Sequence, residues 1–270
     1  MKVHGVLAEI LAHKRIEIER AKATLPAARL EAMPGFSAPP RGFYHAIVAS
    51  AIPGRPRLIA EIKRSSPSVG VIQSDFDPVA RARAYAAGGA SGLSVLTDEK
   101  YFDGSLASIA EVKRAVALPV LRKDFIIDPY QVHEARAHGA DAILLIAEAL
   151  DGARLVELLR LARSLALDVL LEVHDRASLD AVIAAVPPPL REGVLLGINN
   201  RDLRRQVTRL ETTEQLAPLV PADWPFVSES GVKTRDDVRR LSAAGACGLL
   251  IGETLMRSND PRRTIEELLR

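Results

Sequence analysis

The chain of 270 residues holds a single cysteine, Cys247. That excludes an intrachain disulfide and fits a reducing compartment. Lys and Arg number 36 against 34 Asp and Glu, a net charge of +2, so no global field marks a nucleic-acid binder. No uninterrupted apolar run approaches the roughly 20 residues of a membrane span. The N-terminus lacks the apolar core of a secretory signal, because Glu9, Lys14, Arg15, Glu17 and Glu19 interrupt it. The expectation is a cytoplasmic chain that engages neither nucleic acid nor membrane. No cluster of His, Cys or carboxylates has metal-ligand spacing, so no metal is expected. No G-x-G-x-x-G follows the first apolar run, which removes the usual sign of an open dinucleotide-binding sheet. Nothing marks an exposed nucleophile of the Ser-His-Asp kind.

What is present is an alternation. Apolar residues make up 48% of the chain, enough for a sizeable core. From Leu58 onward, short apolar runs alternate with longer amphipathic ones. The predicted strands are Leu58–Ile62, Gly92–Leu96, Val120–Arg122, Ala142–Ile146, Val169–Val173, Val194–Ile198, Pro225–Ser228 and Gly248–Ile251. Helical patterns lie between them, several with a cap candidate at Asp77, Asp128, Asp175 or Thr234. A joint recurs at Gly89-Ala90-Ser91-Gly92-Leu93, Gly139-Ala140-Asp141-Ala142-Ile143 and Gly245-Ala246-Cys247-Gly248-Leu249. In each, glycine suits the left-handed residue that ends a helix before a strand begins. Strict alternation implies a parallel sheet with helices outside. Eight units in about 215 residues match a closed (β/α)8 TIM barrel, an α/β fold, in size. Residues 1–52 read as an N-terminal helical extension packing on that barrel, and 53–270 as the barrel itself. Within the extension, 1–24 reads as an amphipathic helix, the proline-rich 25–42 as a loop, and Phe43–Ser50 as a short helix.

In such a barrel, chemistry sits at the C-terminal ends of the strands. Those ends carry Glu61 and Lys63; Thr97-Asp98 with Tyr101-Phe102; Arg122-Lys123-Asp124-Phe125; Glu148; Glu172 and His174; Asn199-Asn200-Arg201-Asp202; Ser228-Glu229-Ser230-Gly231; and Gly252-Glu253. Singly, most have ordinary readings. Glu61 and Lys63 alone read as solvated strand-end charges, though period two points both the same way. Arg122, Asp124 and Asp202 read as rim ion pairs or helix caps. His174 reads as a loop or capping residue, His133 and His138 as surface, and Cys247 as core. Lys63, Lys123 and Glu172 are harder to dismiss, since they fall one to a strand and converge on one mouth. Ser230-Gly231 and Gly252, with a short helix predicted over 252–256, suit a phosphate held by backbone N–H groups as well as they suit tight turns. Two lysines and Arg201 facing that site suggest a small substrate with two anionic ends.

Taken in order, the blocks Glu61-Ile62-Lys63-Arg64-Ser65-Ser66-Pro67-Ser68, Leu96-Thr97-Asp98, Pro119 to Ile127, Leu171-Glu172-Val173-His174, Gly197 to Leu203, Ser228-Glu229-Ser230-Gly231 and Leu250-Ile251-Gly252-Glu253 resemble the indole-3-glycerol phosphate synthase family. They run from about 58 to 257 and together are highly specific. The resemblance implies a tryptophan-pathway lyase that acts on 1-(2-carboxyphenylamino)-1-deoxyribulose 5-phosphate without a cofactor or metal. It also implies roles. Lys123 would be the general acid of ring closure and Glu172 the acid/base of dehydration. Lys63 would hold an anionic end, with or without a share in proton donation, and Glu61 would orient the lysines. Asn199 and Ser230 would bind the sugar and position Glu172, while Arg201 and Ser66 would address the carboxylated ring end. Phe102 and Phe125 would pack on the ring, and Ser230, Gly231, Gly252 and Glu253 would offer N–H groups to the phosphate. Two departures stand out: Glu253, where many members carry serine, and the basic stretch 204–208. The alternatives are another ribulose-phosphate barrel such as phosphoribosylanthranilate isomerase, which would lack the Lys63, Lys123 and Glu172 set, or a non-catalytic phosphate-ligand-binding barrel. A stand-alone chain is expected, monomeric or weakly homo-oligomeric, with no second enzyme fused.

Overall fold

The apolar runs become eight strands: β1 Arg57–Ile62, β2 Gly92–Leu96, β3 Val120–Lys123, β4 Ala142–Ile146, β5 Asp168–Val173, β6 Val194–Asn199, β7 Phe226–Glu229 and β8 Gly248–Ile251. This computed structural model describes residues 5–48, 55–66, 70–71, 76–202 and 207–270, so the end of the helix predicted over Phe43–Ser50 and the stretch 203–206 lie outside the described residues. Each strand ends within one residue of its sequence-based bounds. They pair in chain order, all parallel, and β8 closes on β1. A parallel strand buried on both faces needs apolar side chains at successive positions, which is why Ala142–Ile146 reads Ala-Ile-Leu-Leu-Ile.

Period two then sorts the side chains. Leu58, Ala60 and Ile62 join the outer core between sheet and helices. Ile59, Leu121, Leu144, Leu170, Leu195, Val227 and Leu250 form an inner core along the barrel axis. Two residues further along these strands stand Glu61, Lys123, Ile146, Glu172, Gly197, Glu229 and Gly252. The inner core therefore dictates which side chains face the mouth.

Helix starts follow their caps. The side chains of Asp77, Asp128, Asp175 and Thr234 each accept a backbone N–H of the first turn. The three repeated joints turn on Gly89, Gly139 and Gly245, all at positive φ. One short helix, Glu99–Phe102, was not legible in the sequence; Asp98 caps it.

The N-terminal segment runs from the mouth to the floor. Helix α1 (Val6–Thr24) lies across the mouth. The stretch 25–42, expected as a loop, holds α2 (Ala27–Glu31) and α3 (Pro34–Ser37). Prolines there start helices instead of breaking them, with Pro26 just before α2 and Pro34 at the first position of α3, where the missing N–H has no intrahelical partner to lose. Both lie against the helix Pro129–Ala137, whose Tyr130 hydroxyl donates to the Leu25 carbonyl at 2.9 Å. Helix α4 (Phe43–Val48) plugs the floor with Phe43 and Ile47, both fully buried. The strands make room for them with glycine: a Cβ on Gly92 would lie 3.1 Å from the Phe43 ring, and one on Gly248 2.9 Å from Ile47.

What fastens α1 to the mouth is charge. Lys14 is buried and its Nζ lies 2.7 Å from Asp98, 3.0 Å from Asp124 and 2.6 Å from Glu17. Asp124 also accepts from the Thr97 hydroxyl at 2.6 Å and pairs with Arg122 at 3.0 Å; Arg122 reaches Glu134 at 2.8 Å. Arg122 and Asp124 are thus members of a buried network, not the rim pairs expected of them. Among the described residues, no helix is long and apolar enough to cross a membrane.

Candidate active site

One cavity under α1 is lined by Glu61, Lys63, Phe102, Lys123, Phe125, Glu172, Asn199, Arg201 and Ser230, with Val6, Leu7 and Ile10 of α1 as its roof. A second opens beside it, lined by Gly231, Gly252, Glu253, Lys233 and Arg257, and shares Glu61, Lys63, Lys123, Arg201 and Ser230 with the first. The two form one trough with an apolar end and a glycine-rich cationic end. Every sequence-predicted site residue lies in it except Ser66, whose side chain, like residues 67–69, lies outside the described residues. At the apolar end the Phe102 and Phe125 rings stand 6.2 Å apart at 38°.

The centre of the trough is an ion cluster. Lys123 Nζ lies 3.2 Å from Glu172 Oε2 and 3.9 Å from Glu229 Oε2. Burial works against charge on Lys123, but Glu172, Glu229 and Glu61 outweigh it and hold the ammonium above its ordinary pKa. Burial likewise pushes Glu172 up, and Lys123 together with His174 more than reverses it, so Glu172 stays ionised well below the usual carboxylate range. Glu229 goes the other way. Burial and the neighbouring Glu172 charge raise it well above that range, and Lys123 only partly offsets them, which favours its protonated form. Gly197 makes the space for it, since a Cβ there would overlap the Glu229 carboxylate. Glu61, on β1, pairs with Lys63, the first residue past its end. Burial raises the Glu61 carboxyl, but Lys63, Lys123 and Arg201 hold it below its ordinary value.

Several expected contacts differ. The oxygens of Glu172 are met by Lys123 and by His174, whose Nε2 lies 3.2 Å from Oε1, not by Asn199 and Ser230. Asn199 instead accepts the Arg201 backbone N–H at 3.0 Å. The Ser230 N–H donates to the Leu250 carbonyl at 3.3 Å, so it is not offered to an anion. Ser230 does sit at φ +66, a left-handed kink that turns the chain from β7 toward the second cavity. The predicted short helix is present as Glu253–Met256, starting at Gly252 without a side-chain cap. The Glu253 carboxylate pairs with Arg257 at 3.0 Å and lies 3.7 Å from Arg201, which turns it toward the arginines.

Five participants were given no role from the sequence. Glu229 and Glu148 each lie on the inward register, two and four positions past Val227 and Leu144, so counting by two would have found both. His174 was read as a loop residue, yet it is largely covered and sits between two carboxylates: its Nδ1 lies 3.1 Å from Glu148 Oε2. Leu7 and Ile10 depend on where α1 docks, which no local pattern states.

Comparison with known proteins agrees with this geometry. The family model for indole-3-glycerol phosphate synthase matches residues 7–268. An indole-3-glycerol phosphate synthase of Acidithiobacillus ferrooxidans is 51% identical over 263 residues, covering 97% of this chain and 98% of the relative. One from Rhodospirillum rubrum is 47% identical over 264 residues, 98% of each chain. Solved structures of a thiamine phosphate pyrophosphorylase from Pyrococcus furiosus (TM-score 0.54, 17% identity, 78% of this chain and 93% of that one) and of KGPDC from Streptococcus mutans (TM-score 0.59, 9% identity, 79% and 95%) share the barrel fold. Matched over nearly its whole length by the family model and by relatives that share about half of its residues, the chain belongs to the indole-3-glycerol phosphate synthase family.

Proposed function

We propose that this trough converts 1-(2-carboxyphenylamino)-1-deoxyribulose 5-phosphate into indole-3-glycerol phosphate, carbon dioxide and water. The observation that carries the reading is the pair Lys123 and Glu172, a held ammonium touching a held carboxylate at the junction of an apolar slot and a cationic, glycine-rich one. The aromatic ring of the substrate enters beneath Leu7 and Ile10, against Phe102 and Phe125. Its phosphate lies toward Gly231, Gly252 and the first turn of Glu253–Met256, whose leading N–H groups have no partner within the helix. Lys63 and Arg201 line both cavities and neutralise the anionic ends.

In the first step the carboxylated ring carbon attacks the C2 carbonyl, and Lys123 gives its proton to the carbonyl oxygen as the charge there grows. The ionised Glu172 and Glu61 hold that proton, so transfer waits until the oxygen approaches alkoxide basicity, which ties it to the transition state. Loss of carbon dioxide restores the aromatic ring. The new C2 hydroxyl then leaves as water, and a proton leaves the carbon next to nitrogen to complete the double bond. Glu172, kept ionised, accepts that proton. Glu229, whose protonated form is favoured by burial and by the Glu172 charge, is the carboxylic acid beside Lys123 able to give one. Two neighbouring carboxyls whose environments push their pKa values apart divide acid and base work in this way.

Indole formation from the anthranilate-linked substrate, followed by ultraviolet absorbance or fluorescence, tests the reading directly. Purified folded protein without that signal would leave a phosphate-binding barrel and no catalyst. Glu172→Gln is expected to lower turnover by roughly 10²-fold or more and to let a ring-closed, decarboxylated, still hydroxylated species accumulate in rapid-quench samples. Wild-type kinetics in that variant would remove Glu172 from the reaction.

Gly252→Ala probes Lys63. A Cβ at 252 would overlap the Glu61 carboxylate and come within 3.0 Å of the Lys63 ammonium. Displacing both is expected to raise KM on the order of tenfold, the scale of a modest overpacking penalty, with kcat changed much less. A loss in kcat matching the rise in KM would make Lys63 a proton donor as well as an anion binder.

A further inference from the structure

Beyond Lys123, the base Glu172 has a second cationic neighbour that the reaction as drawn leaves without a task. Oε1 of Glu172 faces His174 Nε2 at 3.2 Å, while Oε2 faces Lys123 at 3.2 Å. On the other side of the ring, Nδ1 faces Glu148 Oε2 at 3.1 Å. The backbone N–H of His174 donates to Glu148 Oε1, also at 3.1 Å, so Glu148 grips the residue by ring and by main chain together. All three side chains are nearly excluded from water. Each ring nitrogen lies at ion-pair distance from a carboxylate oxygen without the alignment of a hydrogen bond, and a ring flanked by two carboxylates is favoured in its doubly protonated form.

We infer that Glu148 and His174 form a positioning pair for Glu172: the imidazolium, anchored by Glu148, fixes Oε1 and leaves a positive charge beside Glu172 after Lys123 has given its proton away. The inference rests on Glu172 being the base of dehydration. Its physical content is one of timing. While Lys123 is charged, Glu172 is ionised with or without His174. Once Lys123 is neutral, a buried carboxylate next to Glu229 would compete for a proton and be lost as a base. A fixed imidazolium prevents that. The charged and titrating groups around the pair are Lys123 from β3, Glu148 beyond β4, Glu172 on β5 and Glu229 from β7. Asp175, next in the chain, is turned onto the Ser178 N–H of the helix that it caps. Burial lowers the His174 pKa, but Glu148 and Glu172 reverse this and hold it at about 10, in agreement with the geometry.

The chain has six histidines, few enough for nitrogen-detected NMR of histidine-labelled protein, with His174 assigned by its loss in His174→Gln. In the wild type both ring nitrogens of His174 are expected to stay in the imidazolium form from about pH 5.5 to about pH 8.5. In Glu148→Gln they are expected to titrate inside that window. A wild-type His174 that titrates near its ordinary value, about 6.5, overturns the pair without reference to activity. Kinetics then tests its task. His174→Gln is expected to lower kcat by about 10- to 100-fold with KM within about threefold of wild type, and to move the acid limb of the kcat profile up by about one pH unit or more. An unmoved acid limb in a folded His174→Gln or Glu148→Gln protein overturns the inference. Absence of indole formation by a wild type whose imidazolium persists would instead overturn the proposed reaction, so the two failures are distinguishable.

Discussion

Lys123→Ala is expected to lower kcat by about 10³- to 10⁴-fold while substrate binding stays measurable, a loss at the upper end of what one general acid supplies. Two effects combine. The variant loses the proton that meets the carbonyl oxygen during ring closure. It also loses the ammonium that lies 3.2 Å from Glu172 and 3.9 Å from Glu229. Without it the two buried carboxyls compete for protons, Glu172 is drawn toward its neutral form, and dehydration slows as well. Lys123→Arg separates the effects. A guanidinium keeps the charge and the pairing but does not surrender its proton. The arginine variant is therefore expected to keep Glu172 ionised and to remain nearly as inactive in single-turnover ring closure. Lys63, Arg201 and the glycine backbone of the phosphate end remain in both variants, so calorimetric titration with substrate should give binding within about tenfold of wild type for both. Ring closure near the wild-type rate in Lys123→Ala would sink the assignment of the acid.

The sequence made the barrel legible because a parallel strand covered on both faces leaves an unmistakable apolar run, and caps and helix-ending glycines punctuate the intervals. It made most of the trough legible because strand-end charges that are ordinary singly become informative when each strand contributes one. The remainder failed for definite physical reasons. Glu229 sits in Ser228-Glu229-Ser230-Gly231, where the serines and glycine drew attention as a phosphate loop and the inward register of the carboxylate went uncounted. His174 looked like the polar start of a loop, because its partners, Glu148 and Glu172, come from different strand ends. The contacts of Asn199 and the Ser230 N–H depend on turn geometry that residue type does not state. Residues 25–42 folded into two short helices because tertiary contacts with the helix Pro129–Ala137 stabilise turns that composition alone leaves open.

Lys14→Met is expected to destabilise the protein by about 3 to 5 kcal/mol, because it strips the cation from carboxylates that remain buried. Asp98 is fully shielded from water and Asp124 is 4% exposed. Methionine matches the lysine stem, so the loss is one of charge and not of packing. The least costly relief is for α1 to lift and let water in. That movement carries Leu7 and Ile10 off the apolar end of the trough, so KM should rise and protease cuts should appear within 5–24. A double-mutant cycle with Asp98→Asn should recover part of the loss, since an amide tolerates burial without its cation better than a carboxylate does. The pH dependence has a definite sign. Burial raises the Asp124 carboxyl, and Arg122, Lys14 and the Thr97 hydroxyl more than reverse it, from an ordinary 3.8 to about 2. A carboxyl lowered on folding contributes stability that is complete above its unfolded pKa and is lost as pH falls through the folded one. At about 1.4 kcal/mol per pKa unit the contribution is roughly 2 kcal/mol, present above about pH 4 and gone below about pH 2. Lys14 itself, raised above its ordinary value because Asp124 and Asp98 overcome its burial, adds stability that is complete below about pH 10 and lost only in strong alkali. In Lys14→Met a buried Asp124 takes up its proton at higher pH. Acid therefore erodes the wild type while relieving the variant, and denaturant midpoints of the two should converge from about pH 5 downward. A gap that stays constant between about pH 7 and about pH 3 would show that α1 is held by its apolar contacts and not by this lysine.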